Sequence, residues 1–210
     1  MYALQAIRTP SIRESVSEAI RSALREGQLC TGEDLNEANL ATHFQVSRGP
    51  IREALFVLAE EGVLNYFNNK GFSVPKFTER DRAQINELRL MMESRALELA
   101  RDSTTPAHVR RLEELQQEMI SLFLDNRVAA RDGVELAFHG MIWELSGNPW
   151  LVRCLRRAMV PYFTFSRTFH LRWPDLTIEL FSAQHQLFID YLRGATGKTA
   201  EECVRFHLEP

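Results

Sequence analysis

The strongest constraint on the fold is the close spacing of helix stops in residues 11–76. Ile12, Val16, Ile20 and Leu24 recur at helical spacing, and Gly27 follows them as a C-terminal stop signal. A loop, "QLCTGED", comes directly after. Stops this frequent leave room only for short helices, so the segment predicts a small, punctuated domain rather than a long bundle.

Two further helices and a hairpin complete this domain. Asn36 is the candidate N-cap of "LNEANLATHF", in which Leu40, Ala41 and Phe44 are expected to face inward. Ser47 is the candidate N-cap of the next helix, which tolerates Pro50 in its first turn and ends at Gly62. Its expected buried stripe is Ile51, Leu55 and Leu58.

The segment "VLNYFNNKGFSV" contains two short apolar runs around a turn, which is a hairpin signal. Helix, helix, turn, helix and hairpin, in that order, are the outline of a winged helix-turn-helix. The sequence therefore predicts a winged helix-turn-helix domain over residues 1–77, with the boundary near Pro75 to Thr78.

Residues 78–210 have a different character. Thr78 opens a capping-box-like "TERD", and long helical periods follow with little strand signal. We predict helices near 79–101, 106–124, 127–146, 149–166, 175–193 and 199–208, with breaks that include Trp173-Pro174. The predicted fold class is thus mainly α, a winged helix-turn-helix followed by an all-α antiparallel bundle of about six helices.

Composition restricts the cellular setting. The net charge of -3 predicts no strong general attraction to DNA or to an anionic membrane. No apolar run is long enough to span a bilayer, and the N-terminus lacks a signal-peptide core. Cys30, Cys154 and Cys203 are scattered without metal-type spacing, which is typical of reduced cytoplasmic thiols. We therefore expect a cytoplasmic protein without a membrane partner.

A candidate DNA-reading edge lies at the start of the third helix. In a helix-turn-helix, the N-terminal residues of the second helix of the motif meet the base edges. Arg48 and Arg52 are one turn apart and project from the same side, and Gly49 removes bulk between them. Lys70, beside Gly71 at the hairpin tip, is placed to reach a neighbouring backbone or minor groove. The alternative is that the arginines are ordinary solvated surface charges.

The stretch "LNEANLATHFQVSRGPIREALFVLAEEGVL" resembles the N-terminal domain of GntR-type bacterial transcription regulators. It carries "L-x-E-x-x-L-A" followed by "V-S-R-x-P-[VI]-R-E-A-L-x-x-L-x-x-E-G-[LV]". The resemblance implies binding of double-stranded operator DNA through Ser47, Arg48, Arg52, Lys70 and Gly71, with Gly49 among the reading positions. Two departures leave the operator sequence open: Gly49-Pro50, where other members often carry DNA-contacting side chains, and Asn69-Lys70 in the wing.

Three histidines are expected on inward faces of separate helices of the second region. His139 stands one turn after Glu135, at the edge of the stripe formed by Phe138 and Ile142. His185 and His207 lie within the apolar faces of two later helices. Each alone is most simply a hydrogen-bonded core residue. Together, the three imidazoles and the carboxylate would suit one divalent metal such as Zn or Ni, if the helices bring them together.

The stretches "INELRLMMESRALELA", "ELAFHGMIWELSGN" and "AQHQLFIDYLRG", with a final histidine 22 residues after His185, look like the FCD domain of the FadR-like branch. The resemblance implies a divalent metal held by Glu135, His139, His185 and His207. Glu135 departs from the family's usual Asp, so it either ligates the ion or holds a bound water. Gln184 stands where Glu often precedes the histidine.

Arg89 lies on the apolar face of the first helix of the bundle, where a charge needs a partner. One interpretation is an i,i+4 ion pair with Glu93. The other is that Arg89 binds a carboxylate effector, which agrees with the small organic acids that the resemblance implies. Asn148, in "SGN", is expected to be a turn or capping residue.

The sequence thus predicts a ligand-responsive transcription regulator that acts as a homodimer, since one recognition helix reads only a half-site. It is predicted not to be an enzyme. Two alternatives stay open at this point: a metalloenzyme that uses the histidines, and a purely structural metal site.

Overall fold

The computed structural model of the protein describes residues 10–165 and 176–208. The chain divides into two compact units, Met1–Lys76 and Phe77–Pro210. The chain is mainly α, as predicted, with a winged helix-turn-helix in the first unit and a helical second unit.

Residues 10–76 of the first unit contain three helices: α1, Ile12–Arg25; α2, Glu37–Phe44; and α3, Arg48–Glu60. Asn36 caps α2 as predicted, because its side-chain oxygen accepts hydrogen bonds from the amides of Ala38 and Asn39. The expected stripes of α1 and α3 are buried, except that Ile12, the first residue of α1, is 55% exposed. The apolar face of α1 is therefore covered only from its second turn onward.

The first unit also carries a small antiparallel sheet in the order β1-β3-β2. The predicted hairpin forms between β2, Asn65–Phe67, and β3, Gly71–Ser73, with Tyr66 opposite Phe72. The expected loop "QLCTGED" continues into β1, Asp34–Leu35, which pairs with β3. A strand of two residues is too short to show any alternation of apolar and polar residues, so the sequence pattern missed it.

Six helices are described in the second unit: α4, Glu79–Ser103; α5, Pro106–Leu124; α6, Val128–Leu145; α7, Pro149–Thr164; α8, Ile178–Arg193; and α9, Ala200–Leu208. They agree with the predicted helices to within a few residues. The predicted break at Trp173-Pro174, and the predicted helix ends at 166 and 175, lie outside the described residues.

Capping explains why these helices start where they do. Thr78 and Thr105 each form a capping box, and the side chain of Asn148 accepts hydrogen bonds from the amides of Trp150 and Leu151. The prediction that Asn148 is a capping residue is therefore confirmed.

Helix α6 occupies the centre of the second unit, in contact with α4, α5 and α7, while α9 packs against α4 and α8. This arrangement turns the inner faces of α4, α6, α8 and α9 toward one region. Among the helices of the described ranges, none combines the length and the apolarity that crossing a bilayer requires.

Candidate metal and effector site

Four side chains from three helices meet in the interior of the second unit. Glu135 and His139 come from α6, His185 from α8 and His207 from α9, and all four are buried. Each offers one possible ligand atom, and these atoms lie within 4.8 Å of one another. Ligand atoms on one ion with bonds of about 2.1 Å lie roughly 3 to 4 Å apart, so small inward shifts would close the cluster on a metal.

The buried face of α6 is wider than the helical wheel predicts. Glu135 and His139 are expected at the edge of the apolar stripe, yet Glu135 is 7% exposed and His139 only 1%. Trp143, one turn after His139, is also buried. Because α6 packs against three other helices, it buries more than one stripe, and the pair at the predicted edge lies in the interior.

The histidine ring nitrogens fit a metal site. The buried atoms His139 Nε2, His185 Nε2 and His207 Nδ1 have no hydrogen-bond partner among the described residues. Each buried polar atom without a hydrogen-bond partner reduces stability by about 1–3 kcal/mol, so three of them in one place are unusual for an ordinary hydrophobic core. A metal ion would satisfy all three with their lone pairs.

The protonation states of the three histidines suit metal binding. Burial lowers the pKa of His139 and of His207 well below the ordinary value, and it lowers the pKa of His185 to about 4. All three imidazoles are therefore neutral near pH 7, which is the form that binds metals. The carboxylate of Glu135 supplies negative charge, with its Oε1 atom 3.8 Å from His185 Nε2.

Arg89 lies next to the cluster and forms the predicted i,i+4 pair. Its Nε atom donates to Glu93 Oε1 at 3.1 Å, and each side chain is 2% exposed. Burial raises the pKa of the Glu93 carboxyl, and the Arg89 guanidinium offsets part of this effect. The Arg89 Cζ atom lies 4.8 Å from the ring centroid of Tyr162. The pair does not use the whole guanidinium, because Arg89 Nη2 has no hydrogen-bond partner among the described residues.

A cavity of about 20 Å³ joins the arginine to the cluster. Arg89, Glu135 and His207 all line it, so the structure brings the predicted effector residue and metal residues to one space. The sequence reasoning did not assign the other residues of the wall to the site; these are Tyr162, Phe163, Leu176, Phe181 and Gln184.

Gln184 explains one of the departures from the family pattern. Its Nε2 atom donates to the carbonyl oxygen of Phe206 at 2.9 Å, which links α8 to α9. A Glu carboxylate at this position has no N–H to donate, so the amide suits this contact. In the sequence, the only signal that Gln184 borders the site is its position next to His185.

The predicted DNA-reading residues lie at the surface of the first unit, around the start of α3. Ser47, Arg48, Gly49 and Arg52 are exposed. Arg52 is held loosely, with its Nε atom 3.9 Å from Glu37 Oε1 and its Cζ atom 5.7 Å from the centroid of the Phe56 ring. No atom would lie within 4 Å of a Cβ added at Gly49, so the surface there is open to a ligand.

Ser47 is the N-cap of α3 by backbone position, but its side chain forms no capping hydrogen bond. An N-cap side chain normally accepts from the second or third amide of the helix. Pro50 occupies the third position and has no N–H, so one of the two usual donors is missing. The hydroxyl of Ser47 is thus not committed to the cap.

The wing places Lys70 at an exposed turn between β2 and β3, where its amide donates to the carbonyl of Phe67 at 3.1 Å. Gly71 has φ of +83°, in the left-handed region that glycine tolerates best. Asn69 also has positive φ, at 71°. These two residues close the hairpin and present the lysine at its tip.

Both units match known protein families. Residues 12–74 match the bacterial regulatory proteins of the gntR family, and residues 84–210 match the FCD domain. The Nta operon transcriptional regulator of Aminobacter aminovorans is 30% identical over 179 residues, which cover 84% of this chain and 80% of that protein.

Two further similarities agree with these matches. The HTH-type transcriptional regulator YdhC of Bacillus subtilis is 31% identical over 141 residues, covering 66% of this chain and 62% of YdhC. The structure of Escherichia coli McbR/YncC superposes with a TM-score of 0.76 at 22% identity, covering 96% of this chain and 95% of McbR. At this level of identity, the superposition shows a shared fold.

Proposed function

The chain belongs to the GntR family of bacterial regulatory proteins, in the branch that carries an FCD domain, and from this premise we propose how it senses its ligand. As a transcription regulator of this family, it combines a DNA-binding domain with an effector domain. We propose that its effector is a small carboxylic acid, which binds beside a divalent metal in the second unit.

The observation that carries the proposal is the cavity that Arg89 shares with Glu135 and His207, two members of the four-residue cluster. His139, His185 and His207 would bind the ion through the three unsatisfied ring nitrogens, with Glu135 as the fourth ligand. Imidazole and carboxylate ligands favour Zn²⁺, Ni²⁺ or a similar ion. When bound, such an ion would act as a Lewis acid and attract a carboxylate oxygen.

Arg89 would hold the other end of the acid. Its Nη2 atom is a buried donor without a partner among the described residues, and the side chain lines the cavity. A hydrogen bond between a guanidinium and a carboxylate is charge-assisted and about twice as strong as a neutral one. The Tyr162 side chain, on the same wall, adds a phenolic donor, since burial raises the pKa of Tyr162.

The size of the cavity links binding to a structural change. A space of about 20 Å³ has room for a water-sized group, but not for an acid of several carbon atoms. Binding of such an acid therefore requires the cavity walls to move apart. A ligand that binds only the expanded state shifts the population toward it, and this shift is our proposed signal to the DNA-binding domain.

Operator binding is proposed for the residues at the start of α3 and at the wing, namely Ser47, Arg48, Gly49, Arg52, Lys70 and Gly71. The two arginines would contact guanine edges or phosphates, and Lys70 would contact the backbone beside them. Because one such domain reads a half-site, we propose a homodimer on a short palindrome, acting in the cytoplasm where the operator DNA lies.

The test is a titration of a labelled fragment of the protein's own promoter with the zinc-loaded protein, in which fluorescence anisotropy reports DNA binding. We expect salt-sensitive binding that exceeds binding to random DNA, and a change in affinity with at least one member of a panel of small carboxylic acids. Replacing Arg48 by Ala should weaken binding, whereas Arg111→Ala, at an exposed ion pair in the second unit, should not. Equal affinity for promoter and random DNA would overturn the proposal.

The small cavity also favours a second candidate, a purely structural metal site. In that case a chelator would unfold the second unit, and no acid would bind to the zinc-loaded protein. Titration calorimetry with the same acid panel separates the two functions. Turnover of an acid in that experiment would instead support the third alternative, a metalloenzyme.

A further inference from the structure

Glu93 bridges the arginine and a proposed metal ligand, with one carboxylate oxygen for each. Its Oε1 atom accepts from Arg89 Nε at 3.1 Å, within α4. Its Oε2 atom lies 3.5 Å from Nδ1 of His139, on α6. The two side chains beside the Glu93 carboxylate are almost fully buried, at 2% exposure for Arg89 and 1% for His139. Water therefore has little access to this contact.

The position of Glu93 favours one tautomer of His139 through charge, since Glu93 Oε2 forms no hydrogen bond among the described residues. A carboxylate oxygen facing Nδ1 favours a proton on that nitrogen, because the N–H then donates toward the negative charge. The proton-free nitrogen is then Nε2, the same atom that has no hydrogen-bond partner among the described residues. At 3.5 Å the contact is longer than a standard hydrogen bond, so the orientation of the ring depends on how firmly Glu93 is held.

His185 obtains the same tautomer in a different way. Its Nδ1 atom lies 2.8 Å from the carbonyl oxygen of Phe181, one turn earlier on α8. A backbone carbonyl accepts only, so it also keeps the proton on Nδ1 and leaves Nε2 for a ligand. Because this partner is backbone, no substitution removes it. His139 depends instead on a side chain, which makes its orientation open to mutation.

We propose that Glu93 is a positioning residue of the metal site, which fixes the tautomer and ring orientation of His139 and ties them to Arg89. The inference rests on the proposed function, because it assumes that the cluster binds a metal. It extends that function by naming the connection between the metal and the arginine. Arg89 and His139 share one carboxylate, so a ligand that draws Arg89 away from Glu93 also changes the support of His139.

This connection predicts a mutual effect of metal and acid. If acid binding rearranges the Arg89–Glu93 pair, it changes the affinity for metal, and metal then changes the affinity for acid by the same factor. Groups that orient a metal-binding histidine typically contribute 10–100-fold to metal affinity.

The test compares Glu93→Gln with Glu98→Gln in the full-length protein. Glu98 is the matched control, since it pairs with Arg95 on the same helix but at the surface. Zinc affinity is measured by competition with a chromophoric chelator at constant pH. We expect Glu93→Gln to weaken zinc binding roughly 10–100-fold and Glu98→Gln to change it less than about twofold. A change of less than twofold for Glu93→Gln would overturn the inference.

A second measurement uses the unmodified protein, so it stays decisive even when the Glu93→Gln variant does not fold. Protein with ¹⁵N-labelled histidine is loaded with ¹¹³Cd²⁺, and the ring nitrogens are examined by NMR. We expect cadmium coupling to Nε2 of His139 and of His185, with a proton on each Nδ1. Coupling to Nδ1 of His139 would refute the role of Glu93. Absence of cadmium from the cluster would instead refute the proposed metal site itself.

Discussion

Replacing Arg89 by Met tests how much of the second unit depends on its buried ion pair. Met keeps an unbranched chain but removes the charge, which leaves the carboxylate of Glu93 buried at 2% exposure without its guanidinium. Removing one partner of a buried pair typically costs about 3–5 kcal/mol. The carboxylate can limit this loss by taking up a proton.

The cost of that proton sets the expected magnitude. Protonating a carboxyl with an ordinary pKa of 4.5 costs about 1.36 kcal/mol for each pH unit above that value. At pH 7 the cost is about 3.4 kcal/mol, and at pH 6 it is about 2 kcal/mol. The sign follows from linkage: a carboxyl whose folded pKa is raised contributes stability at low pH, and that stability is lost as the pH rises. Arg89→Met should therefore be increasingly destabilising from pH 6 to pH 7.

The assay is urea unfolding of the metal-free protein, followed by tryptophan fluorescence. All three tryptophans, Trp143, Trp150 and Trp173, belong to the second unit, so the signal reports on this unit alone. Arg95→Met, at the exposed pair with Glu98, serves as control and should cost less than about 1 kcal/mol. A cost below about 1 kcal/mol for Arg89→Met at pH 7, or an equal cost at pH 6 and pH 7, would show that the buried pair does not stabilise this unit.

Three further predictions concern the histidines and the arginines of α3. Burial lowers the pKa of His185 to about 4, so the folded state excludes a proton that the unfolded state binds below about pH 6.5. The free energy of unfolding of the metal-free protein should therefore fall by roughly 2 kcal/mol between pH 7 and pH 5 from this residue, and His139 and His207 act in the same direction. A melting temperature that does not fall over this range would contradict the prediction. His185→Gln should weaken zinc binding by more than about 100-fold, because it removes a proposed ligand rather than a residue that supports one. Competition with a chelator measures this loss, and a near-wild-type affinity would exclude His185 from the metal site. Replacing both Arg48 and Arg52 by Ala should weaken promoter binding. The salt dependence of binding should also fall if they contact phosphates, since each phosphate contact contributes to the salt slope. Unchanged affinity together with an unchanged slope would place the two arginines outside the interface.

The sequence was sufficient to predict the helices because their signals are local. Asn36, Thr78 and Asn148 cap the helices that they precede, and the apolar stripes of α1 and α3 follow helical spacing. The strand β1 had no such signal, since two residues cannot show a period. Ser47 forms no side-chain cap, and Pro50, three residues later, removes one of the two amides that such a cap normally uses, a detail that the sequence contains.

The site was predictable only in part, because its geometry depends on contacts between helices. Spacing along each helix placed His139, His185 and His207 on inward faces, and the family resemblance grouped them. The i,i+4 spacing of Arg89 and Glu93 also indicated their ion pair. The contact between Glu93 and His139 joins α4 to α6, so the helical spacing within either helix could not predict it. The size of the cavity likewise depends on side chains from several helices.

The proposed metal site is tested most directly by anomalous diffraction from crystals of the protein grown with zinc. We expect one anomalous peak in each chain, bound by Nε2 of His139, Nε2 of His185 and Nδ1 of His207, with Glu135 as the fourth protein ligand. Co-crystals with a bound acid should show its carboxylate between the ion and Arg89. A crystal grown with zinc that has no peak at this cluster, or has its peak at another place, would show that these four residues do not form the metal site.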